Sequence, residues 1–131
     1  MALPGGRRQP GDEGLLATAM RETEEEVGLN LDRAYLAGRL DDVVPRTPVL
    51  PPIAVRPFVF TVPARPALTL SDEVATARWV TVEHVLRPQT HHPVRLDVAG
   101  QSRVVPAYEL EDAIVWGMTE RILTGLIRHL D

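Results

Sequence analysis

The chain has 131 residues, 44% hydrophobic and 24% charged, with no cysteine and a formal net charge of -4. That is the make-up of one ordinary globular domain, and it excludes a disulfide framework, a thiolate nucleophile and a cysteine-based zinc site. With 14 basic residues against 18 acidic ones, the charge has the wrong sign for wrapping a phosphate backbone, so nucleic acid is not an expected partner.

The longest apolar stretch is interrupted at Arg56 and Pro57, far short of the roughly 20 residues of a membrane helix. No apolar run follows Arg7 and Arg8 as it would in a secretory signal. The expectation is a cytoplasmic protein that does not engage a membrane.

The chain opens on a glycine and proline loop, Leu3-Pro4-Gly5-Gly6-Arg7-Arg8-Gln9-Pro10-Gly11, and then enters a helix. Asp12 is placed to cap it and Glu13 to complement its positive end. Leu15, Leu16, Ala19, Met20 and Thr23 mark a mostly apolar stripe. Gly28 supplies a left-handed C-terminal cap.

Branched and aromatic residues predict strands over 31–40 and 55–62, joined by an ordered proline-rich loop over 43–52. Each proline there lacks a backbone donor, so the strand around Phe58 is expected to be short or at an edge. Ala77-Arg78-Trp79-Val80 reads as another strand, and Thr81 with Glu83-His84-Val85-Leu86 as a short capped helix.

A hairpin is expected over 94–108, turning at Ala99-Gly100-Gln101, with His91-His92 in a polar loop before it. Ile114, Val115, Met118, Ile122, Leu123, Leu126, Ile127 and Leu130 recur every three or four residues, which predicts a closing amphipathic helix. Trp79 and Trp116 are expected to pack in the core.

The most informative segment is Arg21-Glu22-Thr23-Glu24-Glu25-Glu26-Val27-Gly28-Leu29. On a helix, Glu22, Glu25 and Glu26 lie three and four residues apart on one side, where like charges repel. A solvated face is the plain reading of such a run. The alternative is that a hard divalent cation neutralises it, with Mg2+ the natural candidate. Arg21, four residues before Glu25, is spaced to hold one carboxylate by a charge-assisted hydrogen bond. The glycine loop upstream runs into the helix N-terminus, where N–H groups and the dipole favour phosphate. Gly5, Gly6, Arg7 and Arg8 are therefore candidate substrate-binding residues.

In this register the sequence resembles the Nudix hydrolases, whose signature is Gly-x5-Glu-x7-Arg-Glu-U-x-Glu-Glu-x-Gly-U, with U a bulky apolar residue. Arg21, Glu22, Glu25, Glu26, Gly28 and Leu29 match, and Glu13 stands eight residues before Arg21 as the pattern asks. Two positions depart from it. Gly6 lies one residue further from Glu13 than the strict pattern, which puts Asp12 sixth after Gly6, and Thr23 occupies an apolar place. Both features resemble the coenzyme A pyrophosphatase-like branch, as do Pro4-Gly5-Gly6 and Thr18-Ala19-Met20-Arg21-Glu22-Thr23. Asp72-Glu73-Val74 with Arg78-Trp79-Val80, and residues 114–123, carry the likeness further, more weakly.

The resemblance implies an α/β (α+β) fold, an α/β/α sandwich with a mixed sheet between the box helix and the C-terminal helix. It implies a single domain over residues 1–131, Mg2+ or Mn2+ as cofactor, and hydrolysis of a nucleoside diphosphate linked to another moiety. Coenzyme A or a derivative is the first substrate expectation. ADP-ribose, another nucleotide, or a non-catalytic nucleotide-sensing role are the alternatives.

By the same resemblance Glu22, Glu25, Glu26, Glu13 and the Gly6 carbonyl are metal ligands, with Asp12 competing for Glu13's place. Glu25, Glu22, Arg21 and Glu73 are the catalytic candidates, Glu73 as a base from a later loop. Nudix domains normally carry strands ahead of the box, whereas here it almost begins at Met1. A late start at an internal methionine is the expectation, a truncated chain or completion by another subunit the alternatives. A chain beginning at Met1 would leave a sheet edge uncovered, which predicts poor solubility or a homodimer.

Overall fold

The computed structural model describes residues 1–46 and 53–130. They form three α-helices, α1 (Leu15–Val27), α2 (Val82–Leu86) and α3 (Gly117–Arg128). Five strands accompany them, β1 (Leu36–Arg39), β2 (Phe58–Phe60), β3 (His91–Val98), β4 (Gln101–Glu109) and β5 (Ile114–Val115). The α+β class expected from the sequence holds. Among the described residues every strand pair is antiparallel, in the orders β1-β2 and β3-β4-β5. Two units can be distinguished, one made of Leu3–Leu40 and Arg56–Trp79, the other of the remaining described residues.

In the first unit, α1 begins after Gly14 with no side-chain cap, so Asp12 is not the N-cap that the sequence suggested. Its carboxylate is drawn elsewhere, as described below. The buried positions of the helix are Thr18, Thr23 and Val27, while Leu15 from the expected stripe is exposed. The Thr23 hydroxyl is satisfied by back-bonding to the Ala19 carbonyl at 2.7 Å, whereas the single proton of the Thr18 hydroxyl goes to Asp12, as described below.

Gly28 ends the helix at φ 71°, donating its N–H to the Glu24 carbonyl at 2.9 Å. Residues 69–71 then run past this end. The Thr69 N–H reaches the Val27 carbonyl at 2.8 Å and that of Ser71 the Glu26 carbonyl at 3.0 Å, satisfying acceptors the last turn leaves open. A Cβ on Gly28 would lie 2.8 Å from the Thr69 Cβ, so glycine is needed for space as well as for φ.

The strand expected over 31–40 starts late, because the Asp32 side chain accepts from the Ala34 N–H and caps a 3-10 helix over Arg33–Tyr35. Only Leu36–Arg39 remains to pair with β2, which is three residues long beside Pro57, as the proline count required. Residues 77–79 do not form the expected strand. No partner strand runs beside them among the described residues. The indole N–H of Trp79 instead donates to the Pro66 carbonyl at 3.2 Å, leaving a ring that was expected in the core 40% exposed.

In the second unit, the hairpin is longer than expected, pairing from Val98 with Gln101 back to His91 with Tyr108. Its two-residue loop, Ala99-Gly100, has both φ values positive, the geometry that matches strand twist. His91 and His92 thus stand on a strand, not in a loop. Thr81 caps α2 as expected, its hydroxyl accepting from the His84 N–H.

Ile114 and Val115 continue the helical spacing in sequence, yet they form β5 against Glu109 and Tyr108. Gly117, at φ 69°, breaks the register as the first residue of α3, and Trp116 is 40% exposed instead of packed in the core. Tyr108, Leu110 and Val115 form the core, covered by Val80, Val85, Leu123 and Ile127. Val43 and Val55 bridge at 2.8 Å in both directions around the proline-rich segment, whose residues 47–52 lie outside the described ones. Among the described residues no helix is long and apolar enough to cross a membrane.

Candidate active site

Gln9-Pro10-Gly11-Asp12 forms a turn, closed by the Asp12 N–H on the Gln9 carbonyl at 3.0 Å, with Gly11 at φ 100°. Proline followed by a positive-φ glycine is the signature of a type II turn. The turn brings the Asp12 carboxylate to α1. There Oδ1 accepts from Arg21 Nε at 3.0 Å, and Oδ2 accepts from Arg21 Nη2 at 3.0 Å, from the Gln9 N–H at 2.9 Å and from Thr18 Oγ1 at 2.9 Å.

The Asp12 side chain is 8% exposed. The Arg21 hydrogen bonds, with those from Gln9 and Thr18, hold its carboxyl well below the usual carboxylate range. The same pairing holds the Arg21 guanidinium above its ordinary value.

Arg21 Nη1 donates to Glu22 Oε1 at 3.1 Å and to Glu25 Oε2 at 3.2 Å, and Nη2 also reaches the Arg7 carbonyl at 3.2 Å. The Gly5 N–H donates to Glu26 Oε1 at 2.9 Å. Gly6 comes so close that a Cβ on it would sit 2.5 Å from Glu22 Oε1. The glycine loop therefore lies against Glu22 and Glu26 in the second half of α1 and not at the helix N-terminus, where the sequence reading had placed it.

Several sequence candidates are thus brought together: Arg21, Glu22, Glu25, Glu26, Gly5, Gly6 and the Arg7 backbone. Arg8 is exposed, its Nη2 donating to the Asp12 carbonyl at 3.0 Å. Of the two residues that compete for the first acidic position, Asp12 meets Arg21, whereas Glu13 is exposed and makes no hydrogen bond or ion pair among the described residues. The reason is the turn, which aims residue 12 at the helix and residue 13 at solvent. Glu73 is exposed in the turn that follows Ser71, whose N–H is bound to the Glu26 carbonyl. That backbone bond puts the segment carrying Glu73 at the C-terminal end of α1.

Among the described residues no three acidic or histidine side chains converge as a bound ion would require, because Glu22 and Glu25 are turned onto Arg21 and Glu26 onto Gly5. The donor set nevertheless fits a hard cation. It comprises three carboxylates against one glycine loop, with Gly6 leaving room at Glu22 that any side chain would fill.

Two participants escaped the sequence reading. Thr18 and the Gln9 backbone N–H both hold Asp12. The signal for Thr18 was its position three residues before Arg21, which puts both on one helix face. Elsewhere, the buried Glu120 accepts from Thr124 Oγ1 at 2.9 Å and meets His91 Nε2 at 3.0 Å. Nothing in the local sequence announced that pair.

Residues 1–99 match the NUDIX domain family. Over 102 residues the chain is 36% identical to an uncharacterized protein of Schizosaccharomyces pombe, covering 74% of this chain and 31% of that protein. It is 30% identical over 133 residues to an uncharacterized Nudix hydrolase, NudL, of Photorhabdus laumondii, covering 99% of this chain and 68% of the relative. To NudL of Yersinia pestis it is 30% identical over 131 residues, covering 99% and 62%. The chain therefore spans about a third of the yeast relative's length and about two-thirds of the bacterial ones. The match takes in the glycine loop, the Asp12 turn, Arg21 and all three α1 carboxylates, and the chain belongs to the NUDIX domain family.

Proposed function

We propose that this chain hydrolyses the diphosphate linkage of a nucleoside diphosphate joined to another moiety, with coenzyme A or a derivative of it as the first substrate class. One observation carries the reading. A single guanidinium gathers Glu22 and Glu25 beneath a glycine loop whose N–H already touches Glu26. Nudix hydrolases generally use divalent metal ions, and the bacterial relatives are named as Nudix hydrolases. The choice of coenzyme A is supported by the resemblance of Pro4-Gly5-Gly6, Asp12 and Thr18-Ala19-Met20-Arg21-Glu22-Thr23 to that branch.

Glu22, Glu25, Glu26 and the Gly6 carbonyl would hold Mg2+ or Mn2+. The ion, when bound, supplies charge neutralisation on the diphosphate and an acidified water. The chain's own residues do the rest. The Gly5-Gly6 loop, anchored by the Gly5 N–H on Glu26, offers the Gly6 backbone N–H to phosphate oxygens, and Arg7 adds an exposed guanidinium for the same charge. Phosphoryl transfer is mainly positioning and charge stabilisation, so a preformed loop fixed by Arg21 and Asp12 lowers the barrier before any proton moves. Glu73 is the proposed acceptor of the water's proton, from the turn at the end of α1.

The test is product analysis by mass spectrometry, with Mg2+ or Mn2+ and a panel of coenzyme A, ADP-ribose and nucleoside triphosphates. Release of 4'-phosphopantetheine with adenosine 3',5'-bisphosphate is the expected result, and Glu25→Gln should lower the rate by more than the roughly 10 to 100-fold typical of an outer partner. Cleavage of ADP-ribose alone would overturn the substrate class. Parental activity in Glu25→Gln would overturn the site.

A further inference from the structure

We propose that the outer edge of β3 is a self-pairing surface, on which a second copy of the chain lays its own β3 antiparallel, with Arg95 opposite Asp97 and Leu96 opposite Leu96. None of these residues belongs to the site on α1.

β3 stands at the end of its sheet, in the order β3-β4-β5, and no strand pairs with its outer edge among the described residues. The two-residue loop Ala99-Gly100 makes Val98 and Gln101 the closing hydrogen-bonded pair, and such pairs recur at every second residue of an antiparallel ladder. The Glu109 N–H on the Thr90 carbonyl, at 2.8 Å, falls in the same series. His92, Val94, Leu96 and Val98 therefore turn their backbone groups to β4, while His91, Pro93, Arg95 and Asp97 turn theirs outward.

The side chains divide in the same way. His91, Pro93, Arg95 and Asp97 are exposed on one face, and Val94, Leu96 and Val98 are half-buried on the other. Arg95 Nη1 donates to Ser102 Oγ at 3.2 Å across the hairpin, which holds the guanidinium on the exposed face. Asp97 makes no hydrogen bond or ion pair among the described residues.

Charge selects the register. A two-fold axis through Leu96 sets Arg95 of each copy against Asp97 of the other, so every paired position has both a backbone donor and an acceptor, and each charge meets its opposite. With the axis moved one residue toward the turn, Asp97 faces itself. Moved one residue the other way, Arg95 faces itself, and Pro93, which has no N–H, enters the ladder opposite Asp97. A further step puts Pro93 opposite Arg95, where a carbonyl loses its donor and the two guanidiniums lie diagonal to each other. In the chosen register Pro93 falls opposite Ala99 in the turn, beyond the ladder, and costs no bond. On the other face Leu96 meets Leu96 on the axis and Val94 meets Val98 on either side, which closes an apolar stripe that one hairpin alone leaves half-exposed.

An edge contact this short lies at the small end of interfaces. Sedimentation velocity on the parent chain should therefore show a dimer that dissociates on dilution and weakens as salt is raised, because its ion pairs are exposed. Arg95→Asp makes the edge all acidic and Asp97→Arg makes it all basic. Each variant alone should self-associate about 10-fold more weakly than the parent, since both copies carry the change. Mixed in equal amounts, the two should recover association as a heterodimer. In the parent, the amide protons of Arg95 and Asp97 should gain protection from hydrogen exchange as concentration rises, whereas those of Val94 and Leu96, bonded to β4, stay protected throughout.

Circular dichroism establishes that the variants fold. Arg95→Gln and Asp97→Asn, which remove a charge without reversing it, take their place if they do not, and each should weaken self-association by a smaller factor. A parent that stays monomeric across the dilution series would overturn the pairing. So would a dimer whose dissociation is unmoved in the charge variants, or acidic and basic variants that associate no better together than apart.

Discussion

Tyr108, Leu110 and Val115 keep water from apolar surface in one unit, whereas the other unit buries Thr18 and Thr23 of α1 and fixes the Asp12 carboxylate with four donors. The first arrangement is non-directional and scales with area removed from water. The second is directional, so it sets where oxygen atoms point and depends on every partner being present. A region meant to hold charge close together, as Glu22, Glu25 and Glu26 do, has to be built the second way. The two regions should therefore fail differently, and that difference is measurable.

The largest effect is expected in the apolar unit. Tyr108 is 3% exposed, its ring stacks on His91 at 4.4 Å, and its hydroxyl meets Thr124 Oγ1 at 2.7 Å. Tyr108→Ala should cost about 3 to 5 kcal/mol in urea denaturation, the range for losing a large buried ring. The folded fraction should bind Mn2+ as the parent does. A parallel loss of Mn2+ affinity in that folded fraction would break the contrast between the regions.

The next effect appears only in acid and belongs to the polar region. An unfolded aspartate titrates near 3.9, while Asp12 in the folded chain is held below the usual carboxylate range. A depressed folded value means that the group's stabilisation is complete above the unfolded value and is lost as pH falls through the folded one. The gap in urea midpoint between the parent and Asp12→Asn should therefore be constant from about pH 5 to 7 and close below about pH 4. Tyr108→Ala should keep this acid limb. A gap that persists unchanged at the acid end would mean that Asp12 is not paired as described.

What the sequence made legible was local. Gly28 as a left-handed cap, Thr81 as the cap of α2 and Ala99-Gly100 as the hairpin turn each follow from one or two residues, and each is found in place. The α1 carboxylates were readable for the same reason, because helical spacing is a local rule. Readings that needed a distant partner failed. Residues 77–79 have strand composition, but no strand lies alongside them among the described residues. Ile114 and Val115 fit the helical period and were captured by Tyr108 and Glu109. Asp12 and Glu13 differ by one place in sequence, and only the turn at Pro10-Gly11 decides which one meets a side chain nine residues on.

The smallest expected change in stability is at Gly6, where the contrast is sharpest. A Cβ there would lie 2.5 Å from both Cδ and Oε1 of Glu22 and 3.0 Å from its Cγ, all of them toward the flexible end of a side chain. Gly6 has no positive φ, so its backbone accommodates alanine. The strain is relieved by swinging the Glu22 carboxylate away, which costs little because the contacted atoms are the far end of a flexible side chain. Gly6→Ala should thus shift stability by no more than about 0.5 kcal/mol, as for an ordinary surface change. The displaced carboxylate, however, leaves Arg21 Nη1, which now holds it at 3.1 Å, and no longer faces the loop. Mn2+ affinity should fall about 10-fold or more, by the measure of a mispositioned partner. Tyr108→Ala should lose stability and keep the ion, while Gly6→Ala should keep stability and lose the ion. If Gly6→Ala binds Mn2+ as the parent does, the close approach of the loop to Glu22 does not shape the cation site.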